Sequence, residues 1–191
     1  MNAPDLHTEK GRAEFRAQVL LGLGGEWPTP PALDVSIVES FEKDGQRVEK
    51  VRYQVEPHEY VSAYVLSPLT RAAKKLPAIA VWHQHNGEFP LGKSEPSGMI
   101  GNPIHHAAPL LVREGFIVVC PDAIGFEERR DTIQKQGDYE RFLFLKYVVE
   151  GKSLAWKNIL DMKRAVDYLC TRLDLPLRGY LAPGNLGLNV L

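Results

Sequence analysis

The sequence predicts an α/β fold on a mixed sheet, with antiparallel strands first and parallel strands with flanking helices after them. Three observations predict it. Residues 34–66 form three runs rich in Val, Ile and Tyr, broken by Lys43-Asp-Gly-Gln46 and by Pro57-His58, and Asp44-Gly45 is a strong hairpin signal. Residues 78–82 and 116–120 are continuous apolar runs without alternation, the mark of strands buried on both faces of a parallel sheet. Helical periodicity lies between and after them, so hairpins feed into strand–helix–strand connections.

Each element follows in order. Residues 9–23 carry Ala13, Phe15, Ala17, Val19, Leu20 and Leu23 at helical spacing and end at Gly24-Gly25. Trp27-Pro-Thr-Pro-Pro31 is a rigid connector. Strands are expected over 34–41, 47–56 and 60–66, with a loop over 67–75. Residues 104–114 read as a helix closed by Gly115, and Pro109 blurs its start because proline is best tolerated in a first turn. A long polar loop runs from Pro121-Asp122 to Gly137. A helix over 138–149 places Tyr139, Phe142, Leu145 and Val149 on one face, and Gly151 breaks it. The strongest pattern is 153–173, where Leu154, Ile159, Met162, Ala165, Val166, Leu169 and Leu173 recur at helical spacing. The expected organisation is one domain over 1–191, with helix and connector in 1–31 and an atypical tail in 174–191.

Composition excludes several classes. At 191 residues, 44% hydrophobic and 25% charged, the chain has a globular balance. A net charge of −1 gives no electrostatic case for nucleic acid or for an anionic membrane surface. The short charged clusters 71–75 and 127–131 read as solvated loops. No apolar run is long enough to span a bilayer, and the N-terminus lacks the basic start and apolar core of a signal peptide. Cys120 and Cys170 suggest no disulfide framework. A cytoplasmic chain is expected.

The segment Leu76-Pro-Ala-Ile-Ala-Val-Trp-His-Gln-His-Asn-Gly87 carries the chemistry. An apolar run ends abruptly in two histidines, an asparagine and a glycine, as a buried strand does at the floor of a site. Two chemistries fit that edge. His83 and His85 lie on the same side of a strand and would bind a metal if a third ligand converged from His105, His106, Glu88 or Asp122, but no spacing fixes that ligand. Alternatively, backbone N–H groups after the strand would hold an oxyanion, the role of the HGGG-type loop in lipases and esterases. Gln84 stands where the first glycine of such a loop would be, and Asn86-Gly87 restores the turn.

The order of motifs resembles the α/β-hydrolase superfamily, in its dienelactone hydrolase and acetyl-xylan-esterase-like group. The matching pieces are Val61-Ser-Ala-Tyr-Val-Leu-Ser-Pro68, Leu76 through Glu88, Gly115-Phe-Ile-Val-Val-Cys-Pro-Asp-Ala-Ile-Gly-Phe-Glu-Glu-Arg129 and Trp156-Lys-Asn-Ile-Leu-Asp-Met-Lys-Arg-Ala-Val-Asp-Tyr-Leu169. The resemblance covers roughly residues 20–173 and implies an incomplete α/β-hydrolase fold acting on small-molecule carboxylic esters, with no cofactor and no metal. It implies that His83 closes the strand and that the backbone N–H of His85, flanked by Gln84 and Asn86, lies in the oxyanion hole. Asp122 then reads as an architectural residue tying down its loop.

The same group needs a G-x-S-x-G or G-x-C-x-G elbow after the helix that ends near Leu173. Residues 174–191 contain no Ser, Cys, Thr or His. The acid and the general-base histidine would follow the nucleophile, so they too are absent. Ser94 and Ser97 read as loop serines and Ser153 as a helix cap. The expectation is therefore an inactive, truncated or frameshifted product that diverges near 174–178. Its strand at 78–82 would present an unpaired edge, giving self-association and poor solubility. The alternatives are a metal-dependent hydrolase or cupin-like protein using His83 and His85, and a non-catalytic module that recruits a partner strand at that edge.

Overall fold

The computed structural model describes residues 3–69, 76–85 and 87–172. The expected tail, 174–191, and Asn86 lie outside the described residues. Five strands form one mixed sheet in the order β1-β2-β3-β5-β4. They are β1 (Ser36–Lys43), β2 (Gln46–Glu56), β3 (Glu59–Pro68), β4 (Ala78–Ala80) and β5 (Ile117–Pro121). The first three pair antiparallel, and β3 also runs antiparallel to β5. β4 pairs parallel with β5, Ala78 opposite Ile117 and Ala80 opposite Val119. The hairpin at Asp44-Gly45 has positive φ at both residues, 49° and 76°, the geometry that matches strand twist in a two-residue turn.

The helices are α1 (Glu9–Leu23), α2 (Ala107–Arg113), α3 (Gln136–Val149) and α4 (Leu154–Thr171). β5 is buried along its whole length and divides the core. Ile117 and Val119 face Ala165, Tyr168 and Leu169 of α4, together with Val51, Tyr53, Val61 and Val65. Val118 and Cys120 face Ala108 and Val112 of α2, with Val48 and Leu66. One apolar run thus serves two layers, as its lack of alternation requires.

Four differences from the sequence reading have physical causes. β4 is three residues long, although Val81 extends the ladder by donating to Val119 O at 2.8 Å. The helix expected over 104–114 is a 3-10 turn, Pro103–His105, followed by α2, and Pro109 sits in the first turn of α2, where its missing N–H costs little. α3 packs through Leu143 and Tyr147, while Phe142, Leu145 and Val149 of the expected face are 51%, 52% and 87% exposed. The apolar residues Phe142, Leu143, Phe144, Leu145, Tyr147, Val148 and Val149 surround the C-terminal half of that helix, so spacing alone did not select its buried stripe. On α4 the buried stripe includes the charged residues Lys157, Asp161 and Arg164, and Ile159 turns outward.

Among the described residues the outer edge of β4 has no strand partner. No described helix is long and apolar enough to cross a membrane.

Candidate active site

β4 and β5 run parallel, so their carboxyl ends open on the same side, where ligands sit in α/β sheets. The loops leaving these two ends build the site. His83 is buried, its Nε2 accepts the backbone N–H of Ala123 at 3.0 Å, and its Nδ1 lies 3.0 Å from Gln84 O. Because an N–H points at Nε2, the proton belongs on Nδ1 and the ring is neutral. Burial lowers its pKa in the same sense. His83 therefore ties the end of β4 to the loop after β5.

Gln84 turns its side chain into the protein, where Nε2 donates to Glu95 Oε2 at 3.0 Å. His85 points toward α3, with Nε2 2.5 Å from Glu140 Oε1 and its ring edge-on to Phe89 and Phe126. Gly87 adopts φ 68°, in the left-handed region that favours glycine. Three consecutive side chains are thus held by three different parts of the chain. Among the described residues, no acceptor takes the backbone N–H of Gln84 or of His85.

A charged cluster joins residues 92–94 to the loop after β5. Lys93 is fully buried, and its Nζ donates to Asp122 Oδ2 at 2.9 Å, Glu127 Oε1 at 2.6 Å and Glu128 Oε1 at 3.1 Å. Asp122 Oδ1 also accepts the Lys93 N–H at 2.7 Å, which gives Asp122 the architectural part expected for it. Burial would lower the Lys93 pKa, but Asp122 and Glu127 outweigh it and hold the ammonium charged. Burial pushes Asp122 up to about 7 against the pull of Lys93. Ser94 donates to Glu127 Oε1 at 2.5 Å and Ser97 to Lys93 O at 2.6 Å, so both serines are buried structural donors.

A second network continues from the first. Arg129 donates to Asp122 O at 3.0 Å, Asp161 Oδ2 at 2.6 Å and Glu59 Oε1 at 2.5 Å. The fully buried Lys157 reaches Glu56, Glu59 and Asp161 at 2.5, 2.9 and 2.9 Å. The cluster 127–131, read from sequence as a solvated loop, thus contributes Glu127 and Arg129 to interior ion pairs. Lys93, Glu95 and Glu140 were also missed. A lone charged residue in a loop or helix carries no spacing signal, and only the fold brings its partners together.

The ligands proposed for a metal are engaged elsewhere. Both ring nitrogens of His83 are used, His85 faces Glu140, and Asp122 faces Lys93. His105 Nδ1 lies 3.1 Å from Glu95, His106 Nε2 lies 3.1 Å from Ile100 O, and Glu88 is exposed. Among the described residues no three His, Cys, Asp or Glu side chains are grouped to hold a metal ion.

No protein-family model matches the chain. A protein of Bacillus subtilis (strain 168) named as a hydrolase, YtaP, is 29% identical over 168 residues, 86% of this chain and 52% of the relative. A Bacteroides fragilis NCTC 9343 protein described as an acetyl xylan esterase superposes with a TM-score of 0.69 at 18% identity, covering 87% of this chain and 44% of that one. The glucuronoyl esterase from Solibacter usitatus superposes with a TM-score of 0.52 at 15% identity, covering 89% and 51%. The chain spans about half the length of the curated relative it matches. Over that span its mixed sheet and flanking helices share the α/β fold of the matched part of the Bacteroides protein.

Proposed function

We propose that residues 83–87 form the oxyanion half of a site that hydrolyses carboxylic esters of small molecules. One observation carries this reading. At the carboxyl end of β4, the N–H groups of Gln84 and His85 meet no acceptor among the described residues, while the side chains from 83 to 85 are tied down. Preorganised N–H groups of this kind stabilise the charge that develops on a carbonyl oxygen when a nucleophile attacks it, and they need no reorganisation during the reaction.

In the reaction, the ester carbonyl oxygen rests against the N–H of His85, with Gln84 and Asn86 on either side. A hydroxyl or thiol nucleophile gives its proton to a base and adds to the carbonyl carbon, and the oxyanion is held at the loop. The alcohol leaves with that proton as the acyl-enzyme forms, and water then releases the acid and frees the nucleophile. The neutral His83 shapes the loop and takes no part in proton transfer. Ser94 and Ser97 are committed to the buried Lys93 cluster, so the nucleophile, acid and base belong to the half of the esterase fold that residues 1–172 do not represent.

The 191-residue chain alone is then without ester turnover, and self-association through the edge of β4, unpaired among the described residues, belongs to the same proposal. The test is hydrolysis of p-nitrophenyl acetate by the chain alone and by the chain joined to the part of the Bacillus relative beyond its matched segment. Turnover only in the joined protein is expected. A folded joined protein without turnover, when the relative itself is active, would overturn the reading.

A further inference from the structure

Glu95 is a buried carboxylate, 1% exposed, and no lysine or arginine among the described residues pairs with it. Its Oε2 accepts from Gln84 Nε2 at 3.0 Å, and its Oε1 accepts the Asn102 N–H at 3.1 Å and lies 3.1 Å from His105 Nδ1. The backbone makes room for it at Gly101, where a Cβ would fall 2.7 Å from Oε1 at a φ of +88°. Placing an ionisable group in the interior is costly unless its oxygens are satisfied. Three partners and a glycine are arranged around this one carboxylate. Two of them, Asn102 and His105, belong to the loop that Glu95 itself anchors. The third, Gln84, belongs to the loop after β4.

We propose that Glu95 is a positioning residue for the oxyanion loop, acting through the side chain of Gln84. The proposal rests on the ester-hydrolysing reading of that loop. A loop of this type ordinarily carries glycine after the histidine, which lets the backbone lie open to the substrate oxygen. Gln84 brings a long side chain to that position. Drawing it inward onto Glu95 clears the outer side of the loop and fixes the peptide that bears the His85 N–H. Glu95 thus substitutes an inward hydrogen bond for the missing glycine. His83 fixes the start of the same stretch and Glu140 its end, but only the Gln84 tie acts on the residue directly before the His85 N–H.

Backbone 15N order parameters of the full chain test this without any catalysis. In the unaltered protein residues 84 and 85 should be as rigid as Val118 and Val119, near about 0.85, and in Glu95→Ala they should fall below about 0.6 while β5 is unchanged. Gln84→Met is the decisive variant, because it keeps the length of the side chain and leaves Glu95 with Asn102 and His105. It should loosen residues 84 and 85 as Glu95→Ala does, even if the latter fails to fold. If Gln84→Met leaves them rigid, Glu95 serves only its own loop and the proposal is wrong. An ordered, tethered loop in a joined protein that hydrolyses no ester would count against the ester reading and not against the tether.

Discussion

Lys93 has no exposure to solvent, and its ammonium contacts Asp122, Glu127 and Glu128. Removing it leaves carboxylates buried without a counter-charge, and breaking a buried pair from one side typically costs about 3–5 kcal/mol. Lys93→Ala should lower the urea midpoint by a corresponding amount without changing the slope of the transition. A loss under about 1 kcal/mol would mean that water or rearrangement compensates the carboxylates. Backbone shape matters as much at Gly101. Its φ of +88° and the 2.7 Å approach to Glu95 leave no place for a methyl group. Gly101→Ala should cost about 1–3 kcal/mol, measurable by the same denaturation. Tolerance of the alanine would show that the Glu95 pocket is looser than its hydrogen bonds indicate.

At the scale of elements, α1 is held to α4 by paired tryptophans. Trp27 Nε1 donates to Trp156 O at 3.1 Å, Trp156 Nε1 to Gly25 O at 2.9 Å, and Ser153 N to Leu23 O at 2.8 Å. Ser153 also caps α4 by accepting the Trp156 N–H. Trp156→Ala should destabilise the fold by about 3–5 kcal/mol, and Ser153→Ala by about 1 kcal/mol. Thermal unfolding of the two variants checks both values, and equal losses would contradict this ranking. Elements with one strong local signal were legible in the sequence. The helix at Glu9–Leu23, the Asp44-Gly45 hairpin, the unalternating β5 and the Ser153 cap all match. The buried stripes of α3 and α4 were not legible, because apolar residues surround the C-terminal half of the first and the second buries charges whose partners include Glu56, Glu59 and Arg129, far away in sequence. For the same reason the passage from apolar strand to polar loop before His83 was visible, while the Lys93 cluster and the bond between Glu95 and Gln84 were not.

For the whole molecule, the two ion networks set the response to acid. Burial would raise the pKa of Glu59, Glu95, Glu127 and Glu128, but their cationic and hydrogen-bonding partners outweigh it and hold all four low, Glu128 at about 2. A carboxylate with a folded pKa below its unfolded one stabilises the fold fully above the ordinary carboxylate range and loses that share as the pH falls toward the folded value. His83, lowered by burial, adds a loss that begins as the pH falls through about 6.5. Asp122, raised to about 7, acts in the opposite sense, its share being lost as the pH rises from 3.8 toward 7. With five groups against one, the urea midpoint should be lower at pH 3.5 than at pH 7, and an unchanged midpoint would show the networks to be energetically idle. The central claim concerns the loop at the end of β4, and replacing one backbone N–H tests it most directly. In the joined protein, His85→Ala and His85→Pro both lose the tie to Glu140, but only the proline removes the N–H, and it should lower kcat by about 10²–10³ relative to the alanine variant. Equal turnover in the proline and alanine variants would contradict the oxyanion role of His85.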